Sequence, residues 1–350
     1  MKVTALKKEF SIVSLKGFGE FSSRSGFKVE AARAGKNPKP AKKIVEAIPV
    51  DLCGFHLKYP TMLASGVLGI SFDLFPRVLS SGCGAIVTKS IGLEPRSGYK
   101  NPTMTGVDGG YLNAIGLANP GVEIFREELR EFDEAHSNRP MPLVVSIFAD
   151  SPENFAKIAE TLDEQDFLGF ELNLSCPHVK DVGSEIGGDL ELSSRVIKAV
   201  KRETTKPLLV KMPASIMNAS VWGKTIEEAG ADAIVAINTV RAMTIDIASQ
   251  KPVLSNKIGG LSGAAIRPVG VRAVYELFEV VRIPIIGVGG VFQWMHAVEY
   301  FLAGATCVQI GSAMATGFLD TFGRINSGIS SYMKEHRFTN LKEMIGAAHH

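Results

Sequence analysis

Two rhythms of apolar and polar positions run along this chain. From residue 60 onward, short runs rich in Val and Ile, each about the length of a buried strand, are separated by longer stretches whose apolar residues recur at helical spacing. Eight such runs occur, at 62–64, 85–88, 143–147, 169–174, 208–211, 233–238, 285–287 and 307–310. The stretches between them carry helix starts: Ser151 is placed to cap a helix with Pro152 at its first position, and Arg267-Pro268 opens another over 269–278. Eight strand–helix units in series predict a parallel sheet that closes on itself, a (β/α)8 TIM barrel.

Barrel enzymes place their chemistry at the carboxyl ends of the strands, so the residues found there matter most. They are Ser65, Lys89, Ser146, Asn173, Lys211, Asn238, the pair Gly289-Gly290 and the pair Gly311-Ser312. Lysine and asparagine are rarely buried without partners, so their repeated appearance at the ends of apolar strands predicts a converging polar site. Glycine-rich turns after the last two strands, in IIGVGGV and VQIGSAM, expose backbone N–H groups ahead of a helix and suit a phosphate-bearing cofactor or substrate. Segments 90–121 and 239–265 are too long for plain connectors, and both leave strand ends on the same face; such segments bind a ligand or cover a site.

Composition narrows the class. With 350 residues, 45% hydrophobic, the chain can bury one large core, expected over 46–350. A net charge of +2 gives no reason to expect a nucleic acid or an anionic membrane as partner. The charge is uneven, however: residues 1–45 carry an excess of about eight positive charges, without periodicity, and read either as a loosely attached arm or as a targeting segment. Apolar runs such as 283–288 are far shorter than the ~20 residues a membrane helix needs. Cys53, Cys83, Cys176 and Cys307 lack CxxC spacing, which argues against a zinc site, an iron–sulfur cluster or a disulfide framework and fits a reducing cytoplasm. No metal is expected.

One cysteine stands apart. Cys176, in ELNLSCPH, follows a buried strand and precedes a proline that forces an extended exit, with Asn173, Ser175 and His178 nearby; the other three read as packing residues. Lys89 and Lys211 would supply fixed positive charge, either to a reduced flavin or to a substrate phosphate or carboxylate.

Nine motifs in colinear order carry a resemblance: ASGVLG (64–69), TKS (88–90), LNAIGLANPG (112–121), ELNLSCP (171–177), VKMP (210–213), INT (237–239), GGLSGAAIRP (259–268), GVGG (287–290) and IGSA (310–313). Over about residues 48–349 the chain resembles the class 1 dihydroorotate dehydrogenases. Cysteine at 176, together with LNAIGLANPG, NTVRAMTIDI and GGLSGAAIRP, is most similar to the NAD-linked subclass. In that subclass an FMN subunit works with a second protein carrying FAD and an iron–sulfur cluster.

The resemblance implies oxidation of (S)-dihydroorotate to orotate in pyrimidine biosynthesis, with Cys176 taking the proton from C5 as hydride leaves C6 for N5 of FMN. It implies FMN contacts from Ser65, Lys89, Ser90, Ser146, Asn173, Lys211, Ile237, Gly263, Gly289, Gly290, Gly311 and Ser312. Substrate contacts are implied for Lys89, Asn113, Ala114, Ile115, Gly116, Leu117, Asn173, Asn238 and Thr239. Residues 178–188, with three glycines, resemble a loop that closes over the pyrimidine, and the family implies a homodimer. NLSCPH, with His178, is also similar to the dihydropyrimidine dehydrogenases, which gives a second reading: reduction of uracil or thymine. Two readings outside this chemistry remain, a flavin-free phosphate-binding barrel and a non-catalytic scaffold.

Overall fold

The computed structural model describes residues 46–69, 71–136, 141–174 and 186–350. The basic segment 1–45, Cys176, His178 and most of the loop expected at 178–188 lie outside those residues.

Two short antiparallel strands come first, β1 (Val50–Leu52) and β2 (Phe55–Leu57). Next along the chain are β3 (Thr61–Leu63), β4 (Ala85–Val87), β5 (Met104–Val107), β6 (Gly110–Asn113), β7 (Leu143–Ile147) and β8 (Gly169–Asn173). The series continues with β9 (Leu208–Met212), β10 (Ala233–Ala236), β11 (Val240–Ala242), β12 (Ile245–Asp246), β13 (Lys251–Pro252), β14 (Gly259–Ser262), β15 (Ile285–Val288) and β16 (Cys307–Ile310). Strands β3, β4, β7, β8, β9, β10, β15 and β16 pair in parallel and close into a barrel. These eight are the strands anticipated from the apolar runs, with ends that differ by no more than two residues.

Apolar residues drive the closure. In β3, β4, β7, β9, β10 and β16 every residue is buried, because one strand face fills the barrel and the other lies under a helix. The helix Val122–Ala135 shows the matching pattern, burying Val122, Phe125, Leu129 and Phe132 at helical spacing while Arg130 pairs outside with Glu127 and Glu134. Ser151 caps the helix Pro152–Leu162, its side chain accepting from Asn154 N at 3.2 Å. Asp189 and Asn218 cap Leu190–Glu203 and Ala219–Glu228 in the same way.

One end of the barrel is sealed. Leu52, Cys53, Phe55 and Leu57 of the β1–β2 hairpin meet Val144, Leu168 and Leu209 around a void of only about 10 Å³. A ligand must therefore enter at the other end, where the strands finish.

The two long segments have more structure than the sequence reading gave them. They form an antiparallel sheet in the order β11–β14–β6–β5, with a separate ribbon of β12 and β13. β5 and β6 are joined by the two residues Asp108-Gly109, with Gly109 at φ +77°. An Asp-Gly pair between strand-forming residues is a strong hairpin signal. This sheet stands at the open end of the barrel, because β6 runs into the loop 114–121 and β14 into Gly263.

Candidate active site

The residues expected at the strand ends are brought together by hydrogen bonds. Ser65 Oγ donates to Thr88 O at 2.8 Å and lies 3.4 Å from Ser90 Oγ. Ser90 Oγ is 2.8 Å from Ser146 Oγ and accepts from Asn173 Nδ2 at 3.2 Å. Asn173 Oδ1 accepts from Asn238 Nδ2 at 3.3 Å, and Asn238 Oδ1 accepts from Thr239 N at 2.8 Å. Six predicted site residues, from five strand ends, thus form one polar chain across the mouth. Ser146 is fully buried within it, a placement that makes it a support for Ser90. Ile237 is buried as well, and the peptide joining it to Ala236 is cis.

Lys89 is half-buried beside this chain. Burial pushes its ammonium below the ordinary lysine value, so an anion placed beside it would be favoured. Asn113, at the end of β6, donates to Gly260 O at 3.2 Å, and Ala114 after it is buried. Ile115, Gly116 and Leu117 follow in a half-buried turn with φ of +78° at Gly116 and +56° at Leu117.

Beneath the polar chain lies a charged floor. Strand alternation turns Glu171 and Asn173 of β8 inward, with Lys211 of β9 paired opposite Asn173. Lys211 Nζ donates to Gln309 Oε1 at 2.9 Å and is 3.5 Å from Glu171 Oε1, while Gln309 Nε2 donates to Glu171 Oε2 at 2.6 Å. All three are almost completely buried.

The glycine turns make a cradle. Gly290 has φ +67°, and a Cβ there would lie 2.8 Å from both Arg267 Cβ and Gly263 O, so only glycine fits. The Tyr300 hydroxyl donates to Val288 O at 3.0 Å and Gly289 O at 2.9 Å, fixing the turn that leads to the helix Trp294–Leu302. At Gly311 the reason for glycine is different. Its φ is not positive, and among the described residues a Cβ would meet only Ala64 Cβ at 3.4 Å and Val67 Cγ2 at 3.9 Å, so their packing does not require glycine there. A ligand occupying that space would. Ser312 follows, in the turn to the helix Met314–Gly317.

Four residues that hold the site went unnoticed in the sequence. Glu171 and Gln309 sat inside runs read as apolar, and Tyr300 sat in an ordinary helix. Asn119 is the fourth, 3% exposed: its Oδ1 accepts from Gly92 N at 3.1 Å and Gly121 N at 2.9 Å, and its Nδ2 donates to Leu117 O at 2.8 Å. This amide ties the 113–121 loop to the segment that follows β4. Asn119→Ala strands two buried N–H groups and is expected to cost about 1–3 kcal/mol; chemical denaturation against the parent chain measures it.

The other cysteines are packing residues, as anticipated. Burial pushes the thiols of Cys53 and Cys83 up to about 12 and that of Cys307 well above the usual range, so none is a nucleophile or base near neutral pH.

A family model described as dihydroorotate dehydrogenase matches residues 47–333. The chain belongs to the dihydroorotate dehydrogenase family. Among its relatives are proteins called dihydroorotate dehydrogenase B (NAD(+)), catalytic subunit. Those of Pyrococcus abyssi and Pyrococcus furiosus are each 46% identical to it, over 303 and 304 residues, covering 86% of this chain and 99% of theirs. The protein of that name from Thermococcus kodakarensis is 44% identical over 304 residues, 87% of this chain and 99% of its own. As a member of this family the chain is an oxidoreductase, and the family's cofactor is FMN.

The residues present fit that cofactor. Among the described residues, space is left beside Gly311, Gly290 admits no side chain at its turn, and Lys89 is a half-buried cation. Lys211 stands ready on the floor.

Proposed function

We propose that this chain oxidises (S)-dihydroorotate to orotate in pyrimidine biosynthesis, as the catalytic subunit of an NAD-linked enzyme. The observation that carries the proposal is the continuous polar chain from Ser65 to Thr239 above a buried lysine, in a chain of this family. FMN, when bound, supplies the acceptor for the hydride that leaves C6. Everything else falls to the protein. The backbone N–H groups around Gly289, Gly290, Gly311 and Ser312 hold the cofactor's phosphate, and Gly263 lines its path. Ser65, Ser90 and Lys211 hold its ring, with Ser146 and Ile237 packed behind them.

Asn113, Asn173, Asn238 and Thr239 present amide and hydroxyl groups to the pyrimidine, whose ring offers alternating donors and acceptors. Lys89 and the backbone of Ala114, Ile115, Gly116 and Leu117 complete its surroundings and meet its carboxylate. Cys176, three residues beyond the end of β8, accepts the proton from C5. A thiol is a weak base at pH 7, so the step depends on a wet, polar pocket around it and on the 178–188 loop closing over it.

Electrons then pass to a partner subunit with FAD and an iron–sulfur cluster, around a homodimer of this chain. The relatives' names, which specify a catalytic subunit and NAD(+), support the partner subunit; its FAD and iron–sulfur cluster and the homodimer rest on the family resemblance. Among the described residues no helix is long and apolar enough to cross a membrane, and the reading places the protein in the cytoplasm. Reduction of uracil or thymine, suggested by His178, draws no support from those names.

Anaerobic addition of substrate to the purified, FMN-loaded chain tests the proposal. Dihydroorotate should bleach the yellow absorbance within one turnover, and dihydrouracil should not. Bleaching by dihydrouracil alone, or a colourless chain that takes up no FMN, would overturn it.

A further inference from the structure

The closed triangle of Lys211, Gln309 and Glu171 calls for an explanation beyond folding. Lys211 and Glu171 come from the neighbouring strands β9 and β8, whereas Gln309 comes from β16 and reaches them across the barrel interior. Glu171 and Gln309 are each 1% exposed and Lys211 5%. A buried ion pair is a poor way to stabilise a core, because apolar residues of the same volume generally do as well or better.

Its arrangement is directional. The Gln309 amide turns its oxygen to the ammonium and its nitrogen to the carboxylate, so it bridges opposite charges and holds both still. Lys211 pairs in register with Asn173, the centre of the polar chain, whereas Glu171 pairs with Leu209, one pleat deeper. The cation is therefore on the ligand side and the anion behind it. A fixed carboxylate behind a fixed ammonium partly cancels its field at the mouth.

We propose that Glu171, oriented by Gln309, is a positioning residue that sets how strongly Lys211 favours reduced over oxidised flavin. The inference rests on the reading of the site as an FMN site and deepens it. Electrons bound for a nicotinamide need a donor of low potential, and a lysine left without a counter-charge would hold them too tightly. Glu171 and Gln309 do not touch the reacting atoms; they act through Lys211.

The test is the midpoint potential of FMN bound to the full chain, measured spectroelectrochemically at one fixed pH for every variant. Glu171→Gln keeps the shape and removes the charge. It should increase the preference for reduced over oxidised FMN about tenfold, a rise of ~30 mV for a two-electron couple. Lys211→Met should move the potential the opposite way, a contrast that a merely structural role would not produce. Glu171→Asp withdraws the carboxylate by one methylene and should shift the potential upward by a smaller factor, which serves if Glu171→Gln does not fold. An unchanged potential in the Glu171 variants, or a shift in the same direction as Lys211→Met, overturns the inference while leaving the FMN reading intact. A chain that binds no FMN at all sinks both.

Discussion

Cys176→Ala is expected to slow reduction of the bound flavin by dihydroorotate about 10²–10⁴-fold, the usual worth of a positioned acid–base group. The loss falls on the chemical step. On the proposed reading, Asn113, Asn173, Asn238 and Thr239 bind the substrate and the substitution leaves all four in place, so the dissociation constant for orotate should change little. Cys176→Ser separates a base from a spacer. A hydroxyl loses its proton far less readily than a thiol, so the serine variant should be nearly as slow at pH 7 and should recover as pH rises. Stopped-flow absorbance under anaerobic conditions measures both variants. Equal rates for Cys176→Ala and the parent chain would remove Cys176 from the mechanism.

Gly290→Val should weaken FMN binding at least about 100-fold, because two charge-assisted N–H contacts to a phosphate are together worth ~3 kcal/mol. Two physical obstacles combine at this position. The backbone stands at φ +67°, which costs a residue with a Cβ ~1–2 kcal/mol. The added Cβ would press within 2.8 Å of Arg267 Cβ and Gly263 O, so the turn must open and its N–H groups lose their aim. Most of the barrel lies elsewhere, and the variant should fold, colourless, with a normal far-ultraviolet spectrum. Fluorescence titration with FMN gives the constant. Undiminished affinity would mean that the phosphate is held elsewhere.

Much of this was legible because apolar periodicity and chain order determine a barrel almost without reference to detail. Runs such as 143–147 and 307–310 coincide with β7 and β16, since strands buried on both faces admit hardly anything else. The strand-end residues were legible for the complementary reason: Asn173 and Lys211 have no business in an apolar strand unless something polar meets them. Glu171 and Gln309 escaped for the same cause. Each is one polar residue inside an apolar run, and only the inward turn of alternate residues, seen across the closed barrel, shows that they converge on Lys211. The sheet of β5, β6, β11 and β14 was misjudged as loop although Asp108-Gly109 marks its hairpin, because its strands are short and half-exposed and lack a continuous apolar face. Asn119 lay in a recognised motif, yet the one of its three hydrogen bonds that ties the loop down reaches Gly92, which is distant in sequence.

A crystal structure of the chain with FMN and orotate tests the account most directly. It should place the phosphate against the backbone of Gly290 and Gly311, the isoalloxazine ring over Lys211, and Cys176 Sγ on the far side of orotate, facing C5. A phosphate bound away from those glycines, or a Cys176 side chain packed into the interior, would contradict it.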